Sequence, residues 1–322
     1  MIRAAGYAKI NLYLEVVGLL PDGYHRLESV MQTLALHDLV TVAPAKELSL
    51  EWNWADPITQ GATWAVGPAM DDLAVEIPTD ARNLAWKAAE ALREFAGVSA
   101  GARISISKAI PAAAGLAGGS ADAAATLVAL NQLWQLQLPF SQLLELGATL
   151  GADVPFCLAG GCQLCTHRGD QLSPLSVTPD WYVLLLKPPL TLATKAVYQT
   201  LDQMSETQGE LRSVEPMVEA LAQRNLTQTG QTVFNRLEAA SFALAPTLKQ
   251  WKGKLGEAAR QAVEGEDFAL LMSGSGPTLF ALFPNQAQAH RAARLLEPEL
   301  VGELAGGQIL VTGLGRRGAG IL

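Results

Sequence analysis

A glycine-rich segment leads directly into a helix-forming stretch, and this pairing suits the binding of an anion. It reads Pro-Ala-Ala-Ala-Gly-Leu-Ala-Gly-Gly-Ser from Pro111 to Ser120. Gly115, Gly118 and Gly119 let the backbone turn sharply and approach a ligand closely. The amides that begin a helix have no partner within it, and they carry the positive end of the helix dipole. The segment therefore predicts a phosphate site of the kind that nucleotides use.

The loop alone leaves its function open. It matches neither the P-loop pattern nor the dinucleotide-binding pattern, so both of those interpretations are excluded. A glycine-rich loop before a helix also occurs as ordinary turn chemistry. Ser120 could donate to a phosphate or ligate Mg²⁺, and Asp122 could help to hold the metal. Asp122 fits a partner of the helix dipole equally well.

A second group of polar side chains lies on a predicted strand near the N-terminus. Over residues 6–17, Lys9, Asn11, Tyr13 and Glu15 alternate with apolar residues, which is typical of a strand with one polar face and one core face. A tight turn is predicted at 21–23, where Pro and Gly occur together. Lys9 and Asn11 should therefore project from the same face.

The other elements follow from hydrophobic periodicity and punctuation. The pattern predicts strands at about 29–43 and 183–187 and a glycine-rich strand and turn at 272–283. It predicts helices at 83–95, at 120–136 with Ser120 as N-cap, at 141–150 closed by Gly151, and from about 233. Residues 52–72 contain three tryptophans without a period and are interpreted as an inserted loop or hairpin. Because strands and helices alternate irregularly, the fold class is α+β.

Composition narrows the class of protein. The chain has 322 residues, enough for two domains, and its 49% apolar and 17% charged residues are typical of a globular protein. A net charge of −8 argues against binding to nucleic acid. The longest apolar runs are too short to span a bilayer, and Arg3, Lys9 and Glu15 argue against a secretory signal. Three cysteines suggest a reducing, cytoplasmic location.

A cluster of three cysteines and a histidine could be interpreted as a zinc site. Cys157, Cys162, Cys165 and His167 lie within eleven positions. Their spacing lacks paired C-x₂-C knuckles, so small buried residues on a strand are the favoured interpretation. His37 and His290 belong to no motif and are interpreted as structural or surface residues.

Several motifs together resemble the galactokinase, homoserine kinase, mevalonate kinase and phosphomevalonate kinase (GHMP) family. The segment 111–125 resembles the phosphate-binding motif of that family, 8–12 its N-terminal motif and 272–280 its C-terminal glycine motif. The segments 22–25, 151–156 and 235–238 resemble a branch that phosphorylates a hydroxyl of a cytidine-diphosphate-linked polyol. The resemblance runs nearly end to end, with the motifs in the family's order.

The resemblance implies a fold, an activity and cofactors. It implies a two-domain α+β GHMP kinase fold, with a ribosomal-protein-S5-domain-2-like ATP-binding domain at 1–175. A ferredoxin-like α/β domain that contributes to substrate binding would follow at 176–322, with the active site in the cleft between them. The implied reaction uses ATP and Mg²⁺, and the partner is a small molecule, without nucleic acid or membrane. A monomer or weak homodimer is expected.

Within the family, Asp153 corresponds to the general base and Lys9 to the cation beside it. A carboxylate just beyond a helix end and two residues before Pro155 has a restrained backbone, which suits that role. A neighbouring cation keeps the aspartate ionised and stabilises charge on the substrate oxygen. Taken alone, Lys9 would more simply be a solvated strand lysine, and Asp153 a turn residue. Their occurrence together with the phosphate loop favours catalysis.

The resemblance also implies binding residues. The expected ATP-binding residues are Asn83, Lys108 (acting through its backbone), Pro111, Ala112, Ala113, Ala114, Gly115, Leu116, Ala117, Gly118, Gly119, Ser120 and Ala121. The expected substrate-binding residues are Asn11, Tyr24, His25, Tyr198, Gly274 and Ser275. Tyr24 and Tyr198 would enclose the pyrimidine, and His25 would bind its edge. An ordinary half-buried helix aromatic is an equal alternative for Tyr198.

The sequence departs from the family at two positions in the loop. Ala117 replaces a common glycine, and Ala121 stands where many relatives have serine, which gives Ser120 a larger role. Two other functions stay open: a homoserine or mevalonate type of kinase, and a ligand sensor that has kept the fold without catalysis.

Overall fold

The alternating pattern near the N-terminus forms part of a long hairpin. In the computed structural model, which describes residues 1–68, 76–177, 179–204, 210–265 and 267–322, β1 (Ile2–Leu19) pairs antiparallel with β2 (His25–Ala45). The turn between them closes through bonds from the Gly23 amide to the Leu20 carbonyl (2.9 Å) and from the Leu20 amide to the Tyr24 carbonyl (2.7 Å). Gly23 has a φ of 84°, which confirms the predicted turn.

The hairpin is the centre of an eight-stranded sheet in the described part of the chain. Its other strands are β3 (Ser49–Trp54), β5 (Gly101–Lys108), β6 (Cys162–His167), β7 (Gln171–Leu175), β9 (Phe234–Asn235) and β13 (Gly320–Ile321). The main path runs β13-β1-β2-β5-β3, with β6 on β2, β7 on β6 and β9 parallel to β1. Strands from the C-terminal half of the chain thus complete the first sheet.

A second sheet has five described strands, in the order β10-β11-β8-β12-β4. It consists of β4 (Ala62–Val66), β8 (Tyr182–Lys187), β10 (Ala269–Met272), β11 (Leu279–Phe283) and β12 (Gln308–Gly313). All its pairings are antiparallel. Because β4 comes from the N-terminal half, the two sheets exchange strands in both directions. The division of the chain near residue 175 stays a prediction.

Helices cover the sheets. The described helices are α1 (Leu84–Ala96), α2 (Gly118–Leu133), α3 (Phe140–Leu150), α4 (Val154–Ala159), α5 (Thr194–Gln203), α6 (Glu215–Ala222), α7 (Leu226–Thr232), α8 (Leu237–Leu244), α9 (Thr247–Val263) and α10 (Gln286–Leu296). Short 3₁₀ helices span Pro57–Gln60 and Glu297–Val301. Most of α2 is buried, and it packs against β1, β2 and α1. A helix that is apolar all round requires such a central position.

The structure corrects two predictions about elements. Helix α2 begins at Gly118, so Ser120 lies in its first turn; its N-cap is Ala117, which has a φ of 59° and makes no side-chain capping bond. The tryptophan-rich region at 52–72 is not a simple loop or hairpin, because it contributes β3 to the first sheet and β4 to the second. Residues 69–72 of that region lie outside the described residues.

The cysteines lie in the core. Cys157 belongs to α4 and Cys162 and Cys165 to β6; all three are buried free thiols. Among the described residues, no three His, Cys, Asp or Glu side chains form a group able to hold a metal ion. Within the same part of the chain, no helix is long and apolar enough to cross a membrane.

Candidate active site

A crevice of about 960 Å³ brings residues from both halves of the chain together. The walls are formed by β1, the β1–β2 turn, the glycine-rich loop, the segment before α4, helix α5 and the turn after β10. Its described lining residues include Lys9, Asn11, Tyr24, His25, Ala113, Ala114, Gly115, Ala117, Gly118, Gly119, Ser120, Asp153, Tyr198, Gly274 and Ser275. The phosphate loop and Asp153 therefore share one crevice.

Lys9 is held by a chain of buried hydrogen bonds. Its ammonium donates to Asn11 Oδ1 (2.7 Å), and Asn11 Nδ2 donates to Ser29 Oγ (2.8 Å). The Ser29 hydroxyl in turn donates to the Tyr13 carbonyl (2.6 Å). Only 4% of Lys9 is exposed. The polar face of β1 is thus buried beneath other elements, and Asn11 orients the lysine.

Asp153 faces Lys9 from a different element. The Lys9 Nζ to Asp153 Oδ2 distance is 3.6 Å, and 32% of the Asp153 side chain is exposed, so the carboxylate can meet a ligand in the crevice. Asp153 immediately precedes α4, whose second residue is Pro155. Because Pro155 has a fixed φ and lies in the first helical turn, the backbone carrying Asp153 is restrained.

The glycine-rich loop is braced against the turn that follows β10. Ser273 Oγ donates to the Gly115 carbonyl (3.0 Å), and the Thr278 amide donates to the Ala114 carbonyl (3.3 Å). A Cβ atom at Gly115 would lie 2.5 Å from the Ser273 carbonyl oxygen. A side chain at position 115 would therefore push apart the two glycine motifs, which explains the need for glycine there.

The start of α2 opens on the crevice. Ala117, Gly118, Gly119 and Ser120 all line it. The first amides of a sixteen-residue helix lack helical acceptors, so this end attracts an anion. The Ala117 conformation is one that glycine adopts without strain, which agrees with the glycine expected at this position. The Ser120 hydroxyl is in the first turn, where it can reach a phosphate oxygen.

Asp38, Lys108 and Asp122 form a buried cluster behind the loop. Lys108 Nζ donates to Asp38 Oδ2 (2.5 Å) and Asp122 Oδ2 (2.6 Å). Asp38 Oδ1 accepts from the amides of Ala109 (2.6 Å) and Ile110 (2.8 Å), just before the loop. The three side chains join β2 and β5 to α2, and they hold the loop at both of its ends.

In this cluster, burial and neighbouring charges shift the pKa of Lys108 in opposite directions. Burial lowers the pKa of Lys108, but its two carboxylates outweigh that effect, so the net shift is upward. Burial raises the pKa of Asp122 well above its usual range. Asp122 lies outside the crevice lining and is 3% exposed. Because its carboxylate is buried away from the crevice, the geometry does not favour Asp122 as a Mg²⁺ ligand.

Other predicted ATP residues have structural partners. Asn83 caps α1, accepting from the Ala85 amide (2.9 Å) and donating to the Pro78 carbonyl (2.8 Å). The Lys108 carbonyl accepts from the Ala55 amide (2.7 Å). The described crevice lining does not include Pro111, Ala112, Leu116 or Ala121.

The aromatic residues of the crevice lie around the β1–β2 turn. The His25 ring stacks on Tyr198 of α5, with centroids 4.5 Å apart, and His25 Nε2 is 2.8 Å from Asp202 Oδ1. Tyr24 is 60% exposed. Burial and then the charge of Asp153 raise the pKa of the Tyr198 hydroxyl. Because His25 already covers one face of Tyr198, a pyrimidine between Tyr24 and Tyr198 would need the other face or a shift of His25.

The crevice includes residues that the sequence patterns did not indicate. Leu14 lines it because the register of β1 and β2 shifts between Asn11 and Tyr13, which reverses the expected alternation. Arg168, Lys195 and Asp202 line it from segments without a recognised motif. A single sequence has no local pattern that predicts a bulge or shows which distant strand a hairpin turn will contact.

Comparison with known proteins identifies relatives at two levels. Residues 83–161 match the family described as GHMP kinases N terminal domain, and residues 217–299 match GHMP kinases C terminal. A 4-diphosphocytidyl-2-C-methyl-D-erythritol kinase of Lachnoclostridium phytofermentans is 37% identical over 294 residues, covering 91% of each chain. The kinase of the same name from Carboxydothermus hydrogenoformans is 39% identical over 282 residues, covering 88% of each chain.

Comparison with solved structures finds one kinase of the same kind and a second kinase of similar fold. A crystal structure of a 4-(cytidine 5'-diphospho)-2C-methyl-D-erythritol kinase has a TM-score of 0.71 at 31% identity, covering 98% of this chain and 100% of that one. A homoserine kinase from Cytophaga hutchinsonii has a TM-score of 0.70 at 18% identity, covering 100% and 97%. The second likeness concerns the fold alone.

Proposed function

Because the chain belongs to the 4-diphosphocytidyl-2-C-methyl-D-erythritol kinases of the GHMP family, we propose that it phosphorylates the 2-hydroxyl of 4-diphosphocytidyl-2-C-methyl-D-erythritol with ATP. The observation that carries this proposal is the shared crevice, in which the start of α2 and the Lys9–Asp153 pair face the same space. In this role the protein serves the methylerythritol phosphate route to isoprenoid precursors.

Each part of the reaction has a group suited to it. The amides at the start of α2 and the glycine-rich loop bind the phosphates of ATP. The Asp153 carboxylate accepts the proton of the substrate hydroxyl, and Lys9, 3.6 Å away, stabilises the negative charge on that oxygen. Asn11 keeps the lysine on the side of the carboxylate. The substrate oxygen then bonds to the γ-phosphorus of ATP while the bond to the bridging oxygen breaks, and ADP leaves.

Mg²⁺ neutralises charge on the transferred phosphoryl group in reactions of this class. Ser120 is the protein hydroxyl that fits such an ion, since it lies in the first turn of α2 and lines the crevice. Asp122 fits less well, because its Oδ2 accepts from Lys108 and the residue is buried outside the described crevice lining. We therefore propose that the phosphates and Ser120, without Asp122, hold the metal.

Two further features complete the proposal. Three buried free thiols support a reducing, cytoplasmic location. The state of the protein as monomer or weak homodimer stays a prediction.

The direct test is an assay of ADP release. The cytidyl-methylerythritol substrate, homoserine and mevalonate are each supplied with ATP, with and without Mg²⁺. Turnover is expected with the first substrate alone and to require Mg²⁺. Turnover of homoserine or mevalonate instead would assign another kinase, and turnover of none of them, with ligand binding retained, would favour a sensor.

Asp153→Ala tests the role of the carboxylate. We expect kcat to fall by about 100-fold or more, while ATP binding stays largely intact, as loss of a general base should produce. Single-turnover kinetics and ATP titration measure the two effects. Asp180→Ala is the matched control, since Asp180 is exposed and pairs with Arg316 outside the crevice. Equal turnover of the Asp153 variant and the wild type would refute the assignment.

A further inference from the structure

The hairpin of β6 and β7 brings an arginine to the crevice. Strand β6 pairs with β2, and His167 lies opposite Leu27, two residues after His25. The turn at 168–170 therefore lies beside the β1–β2 turn. His167 Nδ1 is 3.0 Å from Asp170 Oδ1, and the Arg168 amide donates to the same oxygen (3.3 Å), which fixes the turn. Arg168 then lines the crevice.

The guanidinium of Arg168 lies over the ring of Tyr24. Its Cζ lies 5.4 Å from the centroid of the Tyr24 ring, a cation–π distance. Tyr24 is otherwise exposed, and its amide donates to Asp22 Oδ1 (3.1 Å). Arg168 thus supports the ring on which a pyrimidine would stack.

Arg168 keeps donors that its neighbours do not satisfy. The distance from Nη2 to Asp170 Oδ2 is 3.4 Å, and that from Nη1 to Asp22 Oδ2 is 3.9 Å, beyond hydrogen-bond length. Its Nε is buried and has no hydrogen-bond partner among the described residues. The Arg168 side chain is 34% exposed, and a guanidinium has five N–H donors that suit phosphate oxygens, so its Nη groups are the donors that a ligand anion in the crevice would meet.

Few cations are available along the crevice for an anionic substrate. The described Lys and Arg residues in its lining are Lys9, Arg168 and Lys195. Lys9 is engaged by Asn11 and Asp153 at the reacting end. Arg168 lies near the turn of the β1–β2 hairpin, where Tyr24 is found. A substrate with a nucleotide at one end and a polyol at the other would place charge between these positions.

Resting on the proposed function, we infer that Arg168 binds the diphosphate of the nucleotide substrate and so selects a nucleoside diphosphate over a neutral nucleoside. Arg168 is then a specificity-determining residue, distinct from the Lys9–Asp153 pair. It uses its unsatisfied donors on the phosphate oxygens while its planar face supports Tyr24.

The test compares CDP with cytidine in calorimetric titrations of the wild type, Arg168→Gln and Arg26→Gln. Arg26 is the matched control: it lies on β2 between the crevice residues His25 and Leu27, it is exposed, and it is absent from the described crevice lining. For Arg168→Gln, CDP affinity is expected to fall about 10-fold or more, while cytidine affinity stays within about 2-fold. Arg26→Gln is expected to match the wild type.

Each other outcome has a distinct meaning. Unchanged CDP affinity in Arg168→Gln, or an equal loss for CDP and cytidine, overturns the inference. A loss of CDP affinity in Lys195→Gln alone would also overturn it. Failure of the wild type to bind CDP would instead overturn the proposed function. If Arg168→Gln does not fold, Arg168→Lys takes its place and is expected to lose about 3-fold or more for CDP only.

Discussion

At the scale of single residues, two buried lysines have different kinds of partner. Lys9 is held by Asn11 beside the partly exposed carboxylate of Asp153. Lys187 is 5% exposed, and its hydrogen-bond acceptors among the described residues are the carbonyls of Pro188 (2.6 Å) and Leu190 (3.0 Å). Burial without a carboxylate lowers the pKa of Lys187 to about 8.

The lowered pKa of Lys187 predicts a pH dependence of stability. Between about pH 8 and the unfolded pKa near 10.5, the unfolded chain binds more protons at this residue than the folded chain. The free energy of unfolding contributed by Lys187 therefore rises as pH rises through that window. Lys187→Met lacks this pH-dependent contribution, because methionine does not titrate.

Urea unfolding from pH 7 to pH 10.5 measures the effect. The unfolding free energy of the wild type minus that of Lys187→Met is expected to increase with pH above about 8. Lys252→Met serves as a control, because Lys252 is ion-paired with Glu238 and shows no such burial. Parallel curves for wild type and Lys187→Met would contradict the prediction.

At the scale of elements, the Asp38–Lys108–Asp122 cluster determines where the phosphate loop begins and where α2 follows it. Asp38 binds the two amides before the loop, and Lys108 connects it to Asp122 in α2. All three side chains are almost wholly buried. The position of the loop thus depends on the buried ion pairs of Lys108 with Asp38 and Asp122.

Removing the cation should destabilise the protein strongly. Lys108→Met would leave two buried carboxylates facing one another, at a cost of about 3–5 kcal/mol of unfolding free energy. The double variant Lys108→Met, Asp122→Asn should recover part of this loss, because it removes one of the unpaired charges. Urea unfolding measures both. A loss below about 1 kcal/mol in the single variant would show that the cluster is not held by charge.

The elements also show how far sequence reasoning reached. Periodicity and caps located α1, α3 and β8 to within a residue or two, because each carries its own boundary signal. The family motifs predicted the GHMP kinase fold, which is confirmed. They also predicted that Lys9, Asp153 and the loop share a cleft, and the structure has all three in one crevice. The start of α2 was wrong, because Ala117 adopts a left-handed conformation that propensity assigns to glycine. Asp38 and Arg168 were missed, since pairing across distant strands has no local pattern.

At the scale of the whole molecule, a C-terminal segment at 315–319 packs against elements that carry the site. The Gly315 amide donates to the Thr33 carbonyl (2.7 Å), and the Ala319 amide donates to the Cys157 carbonyl (2.7 Å) in α4, the helix that follows Asp153. A Cβ at Gly318 would overlap the carbonyl oxygen of Leu158. The backbone of this segment therefore lies directly against the element that positions the carboxylate.

Gly318→Ala tests this close packing. The added methyl group meets backbone that cannot rotate away, so a loss of about 1–3 kcal/mol of unfolding free energy is expected, with a lower kcat because α4 must shift. Gly253→Ala is the matched control: Gly253 is exposed within α9, and an added Cβ meets open space. That variant should gain up to about 1 kcal/mol. Equal stability of the two variants would refute the role given to the segment.

The exchange of strands between the sheets affects how the chain must be made. Strand β1 emerges early from the ribosome, but its partners β9 and β13 belong to segments synthesised much later. Likewise, β4 has no strand to pair with until β12 has been synthesised. The nascent chain thus carries open strand edges throughout most of its translation, which makes it a candidate client for chaperones and a poor subject for expression as separate halves.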